Sequence, residues 1–141
     1  SYELIAAFDL IEHLTKEEFV EFFSLVEKRL RNRGRLIINT PNAASPFGLY
    51  RRYGDFTHEI CFTSSCLGDV LALFGLCNAE ARELGPYPHG ILSLIRYLCW
   101  KVVRLAIASY NLIEIGNLGG RIYTRDFVMS VRKLDNNDGS C

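Results

Sequence analysis

The sequence has no excess of charge of either sign. Its 16 lysine and arginine residues are balanced by 16 aspartate and glutamate residues, so the formal net charge at pH 7 is zero. A domain that binds nucleic acid through its overall field carries a basic excess or a basic stripe. The charge balance therefore removes the general electrostatic argument for a nucleic-acid partner, and none is expected.

Paired cysteine motifs are also missing. The chain has five cysteines, at positions 61, 66, 77, 99 and 141, and none of them belongs to a Cys-x-x-Cys pair. A zinc ribbon or a thioredoxin-like redox site would need that spacing. An odd number of scattered cysteines among apolar residues instead predicts reduced, mostly buried thiols in a cytoplasmic protein.

No apolar stretch is both long enough and free enough of charge to predict a membrane span. The most apolar part, residues 90–115, contains Arg96, Lys101 and Arg104, and each cation costs about 2.5 kcal/mol or more at the centre of a spanning helix. We therefore predict an amphipathic helix. The cations lie on one side of it, and the other side carries Ile95, Leu98, Val102, Leu105, Ala106 and Ile113.

The sequence leaves the orientation of this helix open. In one interpretation its apolar side packs on its own domain and its basic side faces water. In the other, the basic side meets the phosphates of a lipid-linked substrate or of an anionic membrane surface. The second interpretation predicts a cytoplasmic protein with peripheral contact to the inner membrane face through residues 90–115.

The N-terminal third carries the pattern of a strand, a helix and a second strand. An apolar run at residues 2–8 is followed by Thr15 and Glu18, which form a capping-box signature. Apolar residues then recur at helical spacing, and Gly34 is predicted to end the helix. Residues 35–39 form an aliphatic run. The unit is therefore β-α-β, and in an open α/β sheet the chemistry collects where strands end.

The rest of the chain predicts one domain with one core, since 49% of its 141 residues are hydrophobic. Residues 43–62 are too long for a simple connector and predict a lid or substrate loop. The further predicted elements are a helix from Thr63 or Ser64 to Phe74, a strand from Asn78 to Leu84, the helix over 90–115, a strand from Arg121 to Leu134 and a polar tail over 135–141.

Several motifs follow one another along the chain. They are Asp9–Leu14 (DLIEHL), Gly34–Asn42 (GRLIINTPN), Tyr53–Glu59 (YGDFTHE) and a Gly75 that closes the next predicted helix. In this order they resemble the C-terminal half of class I S-adenosylmethionine-dependent methyltransferases. More narrowly, they are similar to the branch often associated with cell-envelope glycans and quinones. The match extends from Ser1 to about Lys133.

The resemblance implies a fold. It predicts an α/β protein with a partial Rossmann-like sheet made of the fourth to seventh of the family's seven strands, the last strand antiparallel, and flanking helices. Residues 1–134 would form this C-terminal part of a methyltransferase domain, with a helical insertion at about 90–115. The family's glycine-rich cofactor turn and its acidic strand end belong to earlier strands, and neither motif is found here. We therefore expect the chain to be a fragment of a longer protein.

The resemblance also implies a cofactor and an activity. The cofactor is S-adenosylmethionine, with Ala7, Phe8 and Asp9 contacting its methionine portion; the alternative for Phe8 is packing in the core. The intact protein would methylate oxygen, with nitrogen or carbon as the alternatives, on a small-molecule or lipid-linked glycan acceptor. Asn42 is predicted to contact that acceptor, with a role in a turn as the alternative. Asp55 is predicted to contact it, to orient the His58 ring or to be solvated on its loop, and Tyr53 is assigned with them.

The segment that follows the first strand holds the predicted catalytic residues. Asp9-x-x-Glu12-His13 is similar to the Glu-x-x-Glu-His pattern that holds a divalent metal in ubiquinone and small-RNA O-methyltransferases, and His58 occupies the place of a further histidine. Asp9, Glu12, His13 and His58 are then metal ligands. In a second interpretation His13 or His58 is a general base. In a third, Glu12 and His13 cap the following helix.

Two further expectations concern the chain as a whole. A different class of protein remains open: a truncated, non-catalytic remnant or interaction module that binds no cofactor. The first strand is expected to present an open edge, which favours self-association.

The missing glycine-rich turn gives a prediction for the chain by itself. The 141-residue chain is expected to bind S-adenosylmethionine weakly or not at all, because the family's main cofactor contacts lie in that turn. Calorimetric titration measures this directly. Micromolar or tighter binding would contradict it.

Overall fold

The computed structural model describes residues 1–135, which form one four-stranded sheet with helices. A 3-10 turn at Ile11–His13 follows the first strand. The strands and helices are β1 (Tyr2–Phe8), α1 (Lys16–Arg29), β2 (Leu30–Pro41), α2 (Gly48–Tyr53), α3 (Ser64–Ala72), β3 (Leu76–Glu83), α4 (Ile91–Ile115) and β4 (Asp126–Lys133). Of the predicted tail, residues 136–141 lie outside the described residues.

The sheet has the strand order β1-β2-β4-β3. β1 and β2 are parallel. β4 lies between β2 and β3 and is antiparallel to both. The predicted α/β sheet with a reversed final strand is therefore confirmed. Within the described part of the chain β1 pairs only with β2, so its other edge is open, and self-association through that edge stays a prediction.

Helix α1 begins where the sequence predicts and ends earlier. Thr15 Oγ1 accepts a hydrogen bond from Glu18 N, and the Glu18 carboxylate accepts one from Thr15 N. The prediction that Gly34 ends the helix is wrong, because β2 already begins at Leu30. Leu30 is buried and pairs with Tyr2. A Cβ on Gly34 would lie 2.7 Å from the carbonyl oxygen of Arg31, so this glycine serves a close backbone approach inside the strand.

The core lies between the sheet and the helices α1 and α3. Alternate residues of β2 and β4 point into it, as the period of two in a strand requires. Fully buried members include Phe23, Leu36, Ile38, Leu67, Leu71, Phe127 and Val131. The segment predicted as a loop over 43–62 contains the short helix α2.

Helix α4 forms as predicted but faces the opposite way from the first interpretation. Its polar residues hold it to the sheet: Arg104 Nη1 lies 2.8 Å from Glu83 Oε2, and Asn111 Nδ2 lies 3.4 Å from the Tyr123 hydroxyl. The outer face of α4 is apolar and between 51% and 85% exposed at Ile91, Ile95, Leu98, Val102, Leu105 and Ile113. Packing of the apolar side on the domain is therefore wrong, because the ion pair and the amide bind the other side.

No helix in residues 1–135 combines the length and the apolar character that a membrane crossing requires.

The cysteines differ from the expected reduced and buried set. Cys61, Cys66 and Cys99 are free thiols, and Cys66 and Cys99 are exposed. Cys77, buried at the start of β3, is disulfide-bonded. Cys141 lies outside the described residues. The prediction of mostly buried, reduced thiols is therefore wrong for Cys77, which is oxidised, and for the two exposed positions.

Candidate functional site

Glu12 lies at the C-terminal end of the two parallel strands and is only 1% exposed. Its Oε2 accepts a hydrogen bond of 3.1 Å from Thr40 Oγ1, at the end of β2. Its backbone oxygen accepts bonds from the backbone nitrogens of Glu59 and Ile60, at 2.7 and 3.2 Å. These bonds join the turn after β1 to the segment that carries His58.

Burial raises the pKa of the Glu12 carboxyl above its ordinary value of 4.5. Hydrogen bonds from its own backbone and from Thr40 oppose this effect, and the nearby charge of Asp9 adds to it. A carboxylate withdrawn from water in this way gains from any cation that approaches it, whether a proton or a metal ion.

The ring of His13 is oriented by Thr57. The Thr57 hydroxyl donates its single hydrogen to Asp55 Oδ1 at 2.7 Å, so it can only accept from His13 Nδ1, 2.9 Å away. The hydrogen-bond network therefore assigns the proton of neutral His13 to Nδ1. The lone pair on Nε2 stays available for a ligand or a proton.

His58 is buried and has the same tautomer. Its Nδ1 lies 2.7 Å from the backbone oxygen of Arg51, and a carbonyl only accepts, so Nδ1 donates. Its Nε2 lies 3.8 Å from Asp55 Oδ2. Hydrogen bonds from the side chain and backbone of Thr57 hold the pKa of Asp55 below its ordinary value, so this neighbour of His58 stays an anion.

Glu12, His13 and His58 converge on one point. Each offers one ligand atom, and these atoms all lie within 4.8 Å of one another; the two rings meet edge to face with centroids 4.7 Å apart. Two imidazoles and a carboxylate suit divalent zinc, manganese or iron. Asp9, the fourth predicted ligand, lies outside this group, and its Oδ1 accepts from Asn39 Nδ2 at 3.0 Å.

The capping interpretation finds no support in these contacts. Thr15 and Glu18 cap α1 by themselves. The side chain of Glu12 bonds to Thr40 and that of His13 to Thr57. The side chains of Glu12 and His13 therefore form no capping hydrogen bond to α1.

The predicted cofactor residues occupy the exit of β1. Ala7 is buried in the core, so only its backbone is available, whereas Phe8 is 59% exposed and the core-packing alternative for it is wrong. Asp9 has a positive φ of 47° and turns the chain. Beside it, Asn39 Oδ1 is buried without a hydrogen-bond partner in the part of the chain described. An exposed ring, a carboxylate and an unused amide oxygen fit the ammonium-bearing methionine portion of S-adenosylmethionine.

Asn39 was missed at the sequence level. The available signal was a polar side chain as the last residue of the aliphatic run 35–39 of β2. Strand ends of this kind are where ligands bind in open α/β sheets.

The three predicted acceptor residues have different environments. Asn42 is 1% exposed and hydrogen-bonded: Nδ2 donates to the carbonyls of Ile122 and Thr124 at 2.9 and 3.0 Å, and Oδ1 accepts from Ala44 N at 3.0 Å. Both Nδ2 hydrogens and one lone pair of Oδ1 are therefore used within the fold, and a contact of Asn42 with the acceptor stays a prediction. Tyr53 is 75% exposed at the end of α2, and Asp55 is exposed beside the histidines.

A mostly apolar cavity of about 830 Å³ lies between α4, the loop after β2 and the ends of β3 and β4. Trp100 lines it, and its indole Nε1 is buried without a hydrogen-bond partner within residues 1–135. Arg125 also lines it, with its guanidinium 5.7 Å from the Phe47 ring centroid. Other lining residues are Pro46, Leu84, Pro86, Arg96, Val103, Ile107 and Tyr123. Sequence reasoning did not find this cavity, because its walls come from four separate segments.

Arg51 connects the cavity with the histidine cluster. Its Nη2 lies 3.0 Å from Asp126 Oδ1, at the cavity wall. Its backbone oxygen is the acceptor for His58 Nδ1. Cavity and cluster are therefore neighbouring parts of one edge of the sheet.

Comparison with known proteins places this fold. No protein-family model matches the chain, and no curated protein has a significant match to it. Among solved structures, a SAM dependent methyltransferase from Archaeoglobus fulgidus is similar, with a TM-score of 0.60 and 17% identity over 93% of this chain. Small RNA methyltransferase HEN1 is similar with a TM-score of 0.53 and 14% identity over 98% of this chain. Phosphoethanolamine N-methyltransferase 2 from Haemonchus contortus is similar with a TM-score of 0.55 and 12% identity over 96% of this chain.

The chain shares the fold of SAM-dependent methyltransferases. It spans 59% of the length of the Archaeoglobus chain, 15% of HEN1 and 34% of the Haemonchus chain. At these identities the likeness concerns the fold, and activity is argued from the site.

Proposed function

We propose that the protein containing this chain is an S-adenosylmethionine-dependent methyltransferase that methylates oxygen on a glycan or lipid-linked acceptor. The observation that carries the proposal is the convergence of Glu12, His13 and His58 within 4.8 Å at the C-terminal end of β1 and β2. That edge is where ligands bind in open α/β sheets.

For methyl transfer the protein must position the acceptor hydroxyl against the methyl group and remove the proton of that hydroxyl. Bound S-adenosylmethionine supplies an electrophilic methyl group whose bonding electron pair stays on sulfur as the new bond to oxygen forms. In this proposal Phe8, Asp9 and Asn39 hold its methionine portion. The acceptor hydroxyl must lose its proton, and the free Nε2 of His13 or His58 can take it.

A divalent ion is the second way to activate the hydroxyl. Bound at this site, it would lower the pKa of a coordinated hydroxyl. Glu12, His13 and His58 would hold it. The Nδ1 hydrogen bonds of His13 to Thr57 and of His58 to the Arg51 carbonyl already orient the two imidazoles. Burial of the Glu12 carboxylate favours this assignment, because a bound cation would offset the loss of hydration of its charge.

The cavity beside α4 supports an acceptor with an apolar part. Its wall is mainly apolar, and neither Arg96 nor Arg125 has an ion-pair partner among the described residues, whereas the nearby Asp126 is paired with Arg51. Apolar walls with unpaired guanidinium groups suit an amphiphile with an anionic head. The lipid-linked glycan, a cytoplasmic location near the membrane and self-association remain parts of the proposal.

Methyl transfer from labelled S-adenosylmethionine to lipid-linked and free glycans tests the function. If a metal ion is used, chelation should abolish transfer and a divalent ion should restore it. If a histidine is the base, transfer should survive chelation and fall at acid pH, because a protonated imidazole cannot accept the proton of the acceptor. His13→Ala or His58→Ala should reduce the rate by about 100-fold or more.

The matched control is His89→Ala. His89 is the remaining histidine of the three, and its Nδ1 contacts the Tyr87 carbonyl in the loop before α4. It should transfer methyl groups like the wild type. No transfer to any glycan, with folded protein and bound cofactor, would favour the alternative of a non-catalytic module. Equal rates on acceptors with and without the lipid would remove the lipid-linked part alone.

A further inference from the structure

The outer face of α4 presents apolar side chains to solvent over almost the whole helix. The 25-residue helix is about 37 Å long at 1.5 Å per residue. Exposed apolar side chains from Ile91 to Ile113 follow one another along it, with Ser109 as the polar residue among them, and no Asp, Glu, Lys or Arg lies on this face. A continuous exposed apolar surface of this size marks an interaction site.

The polar contacts of α4 prevent the helix from rotating about its axis and burying this face against the sheet. Arg104 is ion-paired with Glu83 and also donates to the backbone oxygen of Arg121 at 3.2 Å. Ser93, the buried residue of the helix, donates to the Gly90 carbonyl at 2.8 Å. Rotation of α4 would break both contacts of Arg104 and leave the largely buried Glu83 carboxylate without its cation, which is costly.

The width and the borders of the face indicate its partner. At 100° per residue the six residues of the outer face cover an arc of about 80°, and the exposed Leu92, Leu94 and Leu112 beside them widen the apolar arc to about 160°, wider than the seam that a single partner helix needs. Arg96 and Lys101 lie at the two borders of this arc, where neither has an ion-pair partner in the described part of the chain; Lys101 Nζ lies 4.9 Å from the Tyr97 ring. An apolar arc with cations along both edges is the arrangement of helices that lie in a membrane interface.

We propose that α4 inserts its outer face into one leaflet of a lipid bilayer, parallel to the surface, with Arg96 and Lys101 at the level of the lipid phosphates. This reverses the orientation considered from the sequence, in which the basic side alone meets the membrane. The proposal stands apart from methyl transfer, because its test measures no activity. The cavity, which Arg96 also lines, would then open beside the lipid surface.

Vesicle sedimentation separates insertion from simple charge attraction. The chain should bind vesicles of phosphatidylcholine alone and bind more strongly when phosphatidylglycerol is added. At 1 M salt the added attraction should disappear while the binding to neutral lipid persists, because burial of apolar surface is not screened. Absence of binding to both compositions, or complete loss at high salt, would overturn the proposal.

The exposed thiols supply an internal reporter with a matched control. Cys99 lies on α4 at the border of the outer face, and Cys66 lies on α3. With Cys61 and the other exposed cysteine changed to serine, an environment-sensitive dye on Cys99 should shift to the blue when phosphatidylcholine vesicles are added. The same dye on Cys66 should not respond. Equal responses, or none at Cys99, would contradict insertion of α4.

The triple variant Leu98→Glu, Val102→Glu, Leu105→Glu removes the face without touching the inner contacts. It should reduce vesicle partitioning by about 100-fold or more, since each side chain contributes roughly tenfold or more when buried. Leu73→Glu, at an exposed apolar position after α3, should partition like the wild type. The corresponding triple glutamine variant provides the same test if the acidic one fails to fold. A wild-type dimer that the triple variant dissociates, without lipid binding, would identify a second copy as the partner instead.

Discussion

Asn42→Ala should lower the free energy of unfolding by about 2–4 kcal/mol. The substitution leaves the carbonyls of Ile122 and Thr124 without their donor and the Ala44 N–H without its acceptor. An unsatisfied buried polar group costs about 1–3 kcal/mol, and the loop before β4 can recover part of the loss by reaching water. Urea unfolding followed by the fluorescence of the single Trp100 measures the change.

Asn32→Ala is the matched control for this experiment. Asn32 Nδ2 also donates a side-chain hydrogen bond, to Asp135 Oδ1 at 3.1 Å, but at an exposed position. Its loss should change the unfolding free energy by less than about 0.5 kcal/mol. Equal effects of the two alanines would show that the buried amide of Asn42 has no special structural role. An unchanged stability together with weaker acceptor binding would support Asn42 as an acceptor contact.

Asn42 also shows why part of the site could not be predicted. Its bonding partners Ile122 and Thr124 lie 80 residues or more further along the chain. A polar residue after a Pro at a strand end looks the same in sequence whether it is buried or faces a ligand. Only the position of β4 beside β2 decides between them, and that is a tertiary fact.

Local signals predicted the elements whose determinants are local. The capping box of Thr15 and Glu18 forms as the sequence indicates, and Gly75 has the positive φ of 69° typical of a residue after a helix. Gly34 carried the same helix-ending signal and was misassigned, because its role is a close approach to Arg31. A glycine that ends a helix and one that admits a neighbouring carbonyl cannot be told apart by residue type.

Helix α4 illustrates the limit of amphipathic patterns. The pattern correctly predicted a helix with an apolar and a basic side. It did not reveal which side meets the protein, because Glu83 and Tyr123 bind the polar side from β3 and from the segment before β4. The rule that apolar faces turn inward failed here because Glu83, a largely buried carboxylate on β3, forms an ion pair with Arg104 of the helix.

The candidate site was predictable in part. Glu12 and His13 are adjacent in sequence and follow a strand, which is a local signal. His58 was assigned through a resemblance, and the structure brings it to Glu12 through the backbone bond from Glu59. Asn39 and the cavity beside α4 were not predicted, since both depend on how separate segments meet.

Glu12→Gln should make the fold more stable at pH 7 and weaken divalent metal binding at least tenfold. The amide still accepts from Thr40 but carries no charge to bury, so the desolvation that raises the pKa of Glu12 no longer opposes folding. Loss of one ligand in three lowers metal affinity. Thermal unfolding with and without manganese or zinc measures both: the metal should raise the Tm of the wild type and leave the variant nearly unchanged.

The pH dependence of stability tests whether the buried charge of Glu12 opposes folding. A carboxyl whose pKa is higher in the folded state holds its proton more tightly there, so wild-type stability falls as pH rises above the ordinary value of 4.5 and remains lower beyond the folded pKa. The advantage of Glu12→Gln should therefore vanish below about pH 4.5 and grow towards neutrality. Glu18 is the opposite case, because hydrogen bonds from Thr15 lower its pKa below 4.5. Glu18→Gln should therefore lower the free energy of unfolding most above pH 4.5, and the loss should disappear as pH falls below the folded pKa. If the stability of both variants relative to the wild type changed in the same direction as pH rises, burial would not be what opposes ionisation of Glu12. A cation at this site would then have no electrostatic support.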